Sequence, residues 1–197
     1  DMVYIPAGEF IMGSDEQTAT QGEKLIKSSA YLIDRYEMSH EVYNKFHPEH
    51  SFITKKALWP MAHVSFLEAE ASCQAQGKRL PTDAEWEKSA RGTDGRKWSC
   101  KIFVAHPNNG FSGFMPEPVN KRPEWVSPYG VHGMGHNVWE WVADDYNLAG
   151  QTQVFKVIRG GLLQTHLTIQ FSPTWFRNWM APDTKLNFIG FRCAKDV

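Results

Sequence analysis

The residues whose types and spacing could do chemistry concentrate between Tyr129 and Tyr146, in the run YGVHGMGHNVWEWVADDY. Glu140 stands between Trp139 and Trp141. A carboxylate enclosed by two large aromatics needs a cation, backbone N–H groups or an arginine to hold its charge. An ordinary hydrogen-bonded strand residue is the competing reading. His132, His136 and the more distant His166, taken with Asp144 and Asp145, are the side chains that could assemble a redox-metal site. Asn108, Asn109 and Asn120 offer the hard oxygens that calcium takes, and are equally ordinary turn residues. His47 and His50 lack a third ligand nearby in sequence, so a solvated loop explains them. Cys73, Cys100 and Cys193 form no CxxC or CxxCH pattern, which excludes zinc-ribbon and covalent-haem motifs.

The elements that must position these groups read as follows. Gly130, Gly133 and Gly135 can adopt positive φ and turn a loop inward, and Val138 to Val142 then alternates as a strand. Met2 to Met12 reads as two strands around a Pro-Ala-Gly turn, a hairpin-like opening, and Asp15 to Ser29 as a surface loop. Tyr31 to Tyr36 is a strand, and Ser39 caps a helix from His40 to about Phe46. Ser65 with Glu68, and Thr82 with Glu85, are capping boxes that open two further helices, closed at Gly77 and Gly92. The first places Cys73 on its inward face. Thr93 to Pro128 holds no period, and such stretches inside a domain are pinned by packing, ions or function. Strands at Val157–Arg159 and Phe188–Ala194 complete the chain.

Length and composition bound the answer. A chain of 197 residues suffices for one well-buried domain. With 21 basic and 22 acidic residues there is no electrostatic case for nucleic acid or an anionic membrane. Eight tryptophans suit either a fold poor in regular structure or a surface that binds something. No apolar run approaches the roughly 18 residues of a membrane span. The start at Asp1 fits a processed or a trimmed chain, and an earlier signal or lipid anchor is left open.

Laid end to end, MVYIPAGEFIMGS, YLIDRYEMSHEVYNKF, HVSFLEAEASCQAQGKRLPTDAEWEKSARG, the Tyr129–Tyr146 run, VIRGG and NFIGFRCA resemble the formylglycine-generating enzyme family, the sulfatase-modifying-factor domain. The resemblance covers nearly the whole chain. It implies a single α+β domain over residues 1–197, similar to the C-type-lectin fold, low in regular secondary structure and often carrying calcium. It also implies a disulfide between Cys73 and Cys193, with buried free thiols as the alternative, and leaves Cys100 free. Such a disulfide points to a periplasmic or extracellular home.

Active members of that family bind copper through two cysteines beyond the Arg-Gly-Gly element. Those positions fall at or beside Thr165 and Gln170, and neither replaces a thiolate, so no copper is expected and formylglycine generation is argued against. Branches using non-haem iron, or oxidising siderophore precursors, keep an oxidase or oxygenase as the alternative. For calcium, the family pattern maps onto Glu140 and the backbone carbonyls of His136 and Val138, while its side-chain position falls on Gly133. A second site would draw on Asn108 or Asn109 and on Asn120. The expected function is a non-catalytic accessory or binding subunit of an exported complex, in a respiratory or electron-transfer setting. Its partner-binding face would be Trp175, Phe176 and Trp179, with core packing as the alternative use of these aromatics.

Overall fold

Strand β5 (Trp139–Tyr146) runs through the middle of the protein, and the alternation of its side chains sorts the core into two halves. Trp139 and Trp141 point into one apolar cluster with Phe66, Leu80, Ile158 and Phe191, whereas Val142 points into a second with Ile5, Ile33, Trp86 and Val157. Both faces of the strand are therefore covered, and the Trp141 indole N–H donates to the Val64 carbonyl at 3.0 Å. The computed structural model describes residues 1–16, 19, 21–101, 116–161 and 171–197. Asn108, Asn109, Thr165, His166 and Gln170 lie outside the described residues.

The described residues form three small sheets, one of them built on β5. Strands β1 (Met2–Ile5), β4 (Tyr31–Asp34) and β9 (Ala194–Asp196) form one, in the order β1-β4-β9, which brings the two ends of the chain together. Strands β2 (Gly8–Met12) and β3 (Lys24–Ser28) form a two-stranded ribbon. Strands β6 (Phe155–Gly160), β7 (Arg177–Met180) and β8 (Ile189–Gly190) join β5 in the order β7-β6-β5-β8, with β5 and β8 parallel.

Three sequence expectations are corrected here. β1 and β2 do not make a hairpin: β1 pairs with β4 and β2 with β3, so the Pro6-Ala7 turn carries the chain from one sheet to another. The expected loop from Asp15 to Ser29 contains β3, whose Leu25 is exposed and whose Ile26 is half-buried. The expected terminal strand is split, Ile189–Gly190 pairing with β5 and Ala194–Asp196 with β4.

The helices follow their caps. Ser39 accepts from the Val42 amide ahead of α1 (His40–Asn44). Ser65 with Glu68 and Thr82 with Glu85 close reciprocal boxes ahead of α2 (Phe66–Ala75) and α3 (Asp83–Arg91). Each such cap satisfies two orphan N–H groups of its first turn. Cys73 on α2 is disulfide-bonded to Cys193, and Cys100 is a buried free thiol.

Candidate functional site

The α3 sequence DAEWEKSAR places Asp83, Trp86, Glu87, Ala90 and Arg91 on its inward face, and all five are buried. Buried charge requires partners, and strands β6 and β7, together with the helix itself, provide them. Oε1 of Glu87 accepts from the Gly13 amide at 2.7 Å and from Arg91 at 2.8 Å, while Oε2 accepts from Arg159 at 2.6 Å. Arg159, on β6, also donates to the carbonyls of Thr174, Trp175 and Phe176. Asp83 pairs with Arg177 at 2.7 Å and lies 3.2 Å from Arg159.

Glu140 belongs to the same lattice. Its carboxylate is fully buried and gripped by the Arg192 fork, Nε to Oε2 and Nη2 to Oε1, both at 2.7 Å. The Trp86 indole N–H adds a third bond, to Oε2 at 2.8 Å. Arg192 spends its remaining donors on the carbonyls of Asp34, Arg35 and His132. Of the three partners open to Glu140 in the sequence, the structure selects an arginine. Both oxygens of Glu140 thus accept hydrogen bonds within the protein, two from Arg192 and one from Trp86.

Gly133, where the family pattern has a side-chain ligand, sits at φ +75°, and a Cβ there would lie 2.7 to 2.9 Å from the carboxylate of Glu37. Glu37 is buried; its Oε1 accepts from Asn137 at 3.2 Å, and its Oε2 has no partner among the described residues. Burial pushes its carboxyl up to about 7, with the Arg192 charge opposing and the Glu140 charge adding to the rise. Asn120 lies exposed in a turn.

The alternative redox-metal set is dispersed. His132 faces the Tyr36 ring, Asp144 accepts from the Asp83 amide at 2.7 Å, and Asp145 pairs with Lys156 at 2.5 Å. No group of three or more His, Cys, Asp or Glu side chains converges as a metal site among the described residues. His136 is buried, stacked on Trp125 with ring centroids 4.6 Å apart, and burial depresses it to about 4, so its imidazole is neutral.

The expected partner-binding aromatics divide. Trp175 is 3% exposed, roofed by the cations of Arg91 and Lys97, and is a core residue; its place in a surface face is corrected. Phe176 packs against Trp139, and Trp179 stacks on Tyr146 at 4.5 Å, each half-buried. Sequence reasoning missed Trp86, Glu87, Arg91, Arg159 and Arg192 as a connected set. The available signal was charge at core-facing helix spacing and single arginines inside apolar strands.

Comparison with known proteins agrees with this architecture. The chain is 28% identical to the formylglycine-generating enzyme of Mus musculus over 282 residues, covering 99% of this chain and 75% of that protein. It is 26% identical to the inactive C-alpha-formylglycine-generating enzyme 2 of Mus musculus, covering 100% and 86%. It is 32% identical over 159 residues to hercynine oxygenase of Mycobacterium tuberculosis, covering 70% and 37%. Among solved structures, Treponema denticola variable protein 1 superimposes with a TM-score of 0.78 at 20% identity, covering 100% of this chain and 95% of that one. CarF does so with 0.76 at 18%, covering 100% and 98%. Since the sulfatase-modifying factor enzyme 1-like domain matches residues 1–197, the chain belongs to that family.

Proposed function

We propose that this domain is a non-catalytic binding or scaffold subunit of an exported protein complex. The observation that carries the reading is the state of its buried carboxylates: Glu87, Glu140 and Asp83 each answer to an arginine, so the charged interior closes on itself and holds the fold. The copper-binding cysteine positions of active family members fall at or beside Thr165 and Gln170, neither of which is a thiolate, and this supports the same conclusion. The Cys73–Cys193 disulfide supports an oxidising compartment. The similarity to hercynine oxygenase favours a second reading, a metal-dependent oxygenase.

Two assays test the choice. The purified protein, supplied aerobically with Fe(II) or Cu(I), is incubated with a peptide bearing a sulfatase-type cysteine, and separately with hercynine and cysteine, and products are read by mass spectrometry. No turnover is expected, and product from either mixture would overturn the non-catalytic reading. Cross-linking in the native envelope fraction should trap the protein with a stoichiometric partner; recovery as a free monomer would overturn the subunit role.

A further inference from the structure

Cys100 and His136 stand apart from the charge lattice and face each other. The Cys100 sulfur lies 3.8 Å from Nε2 of His136, and the two side chains are 4% and 2% exposed. Nδ1 of the ring is 2.9 Å from the Met134 carbonyl. A carbonyl only accepts, so Nδ1 carries the proton and Nε2 presents its lone pair to the sulfur. The Ser99 hydroxyl donates to the same carbonyl, which ties the residue before Cys100 to the loop that carries His136. Trp125 stacked on the ring fixes its plane. A histidine whose far nitrogen is held by a carbonyl has the support that metal-binding histidines use.

Cys100 also lines a recess of about 360 Å³ together with Arg96, Lys97 and Trp98. Two cations of its lining are ion-paired, Arg96 with Asp94 at 2.6 Å and Lys97 with Glu16 at 2.7 Å, and Lys101 is a third cation there.

We propose that Cys100 Sγ and His136 Nε2 form a two-donor site for a thiophilic d10 cation, Cu(I) or Zn(II), entered from this recess. An ion about 2.3 Å from the sulfur and about 2.0 Å from the nitrogen would subtend roughly 120° across the observed separation, so the donors are already spaced for it. One thiol proton is released to solvent as the ion binds, leaving thiolate and neutral imidazole as ligands. Hard cations such as calcium take oxygen ligands and do not compete. The site is independent of whether the domain is catalytic.

The test uses the protein with its disulfide intact and Cys100 as the free thiol. Cu(I) kept reduced by ascorbate under anaerobic conditions, and Zn(II) in a separate arm, are titrated against chromophoric chelators. Uptake of about one equivalent of either ion is expected, with the arms deciding which. Cys100→Ser should abolish it without moving the melting temperature, and His136→Gln should weaken it by tenfold or more. In wild type, the bound ion should slow alkylation of Cys100 at least tenfold, a readout that holds even where a variant fails to fold. Negligible uptake of both ions by wild type, unchanged uptake by Cys100→Ser, or an alkylation rate indifferent to metal would each overturn the site and leave the pair as an S–H···N hydrogen bond.

Discussion

Replacing Glu37 by glutamine tests whether the interior already has all the negative charge it can neutralise. Arg192 is engaged by Glu140, so Glu37 is left with one amide contact and an oxygen without a partner. In the folded protein its carboxyl holds a proton up to about 7, whereas an ordinary glutamate releases it near 4.5. Between those values the folded state binds more protons than the unfolded one, so stability falls as pH rises through the window. At roughly 1.4 kcal/mol per unit, the loss approaches about 3 kcal/mol between pH 4.5 and 8. Glu37→Gln has no proton to lose and keeps an oxygen for the Asn137 amide. Urea unfolding of wild type and Glu37→Gln in parallel, at intervals across that window, gives a difference in which other shared titrations largely cancel. The variant should match wild type near pH 4.5 and exceed it by about 3 kcal/mol at pH 8. A difference that is flat with pH, or a variant that is less stable at pH 8, would mean that Glu37 is charged in the fold and neutralised by Arg192 after all.

Four further outcomes follow from the same contacts. Glu140→Gln or Arg192→Met alone should cost roughly 3–5 kcal/mol by leaving a buried charge unpaired, and the double variant should cost less than the sum, as a double-mutant cycle in urea would read. Cys73→Ala with Cys193→Ala should cost about 4–5 kcal/mol in the chain-entropy picture, because the bond closes a separation of 120 residues; an unchanged melting temperature would refute it. Trp175→Ala should destabilise by about 3–5 kcal/mol and half-buried Trp179→Ala by clearly less, which thermal melts would separate. Millimolar calcium should move the melting temperature by no more than about 1 °C, since Glu140 is the counter-ion of Arg192; a rise of several degrees would show that the fold binds calcium and refute this.

What was legible in the sequence was local. The boxes Ser65/Glu68 and Thr82/Glu85 span three residues, and both are present with their reciprocal bonds. The alternation through Trp139 and Trp141 also announced a strand. β3 escaped because a two-stranded ribbon with exposed Leu25 buries too little to impose a period on KLIKS. The terminal strand was read as one because Phe191 and Cys193 alternate with Arg192, although all three are fully buried and the chain there leaves one sheet for another.

The site was less legible for a related reason. Hydrophobic period reports which face is covered, and it assumes that covered residues are apolar. α3 breaks that assumption: Asp83, Glu87 and Arg91 recur at helical spacing on the face that is buried, so a pattern reader sees a solvated stripe. The partners of the two acids, Arg159 and Arg177, lie more than seventy residues away in sequence, and Glu140 meets Arg192 across fifty-two. A charge in such an interior is stable only with its counterpart, so each arginine embedded in an apolar strand implies a buried acid elsewhere. That rule pairs Arg159 with α3 and Arg192 with the carboxylate between the two tryptophans. Among the described residues Glu37 is the buried acid without an ion-pair partner, which is why its proton is the sharpest probe of the arrangement.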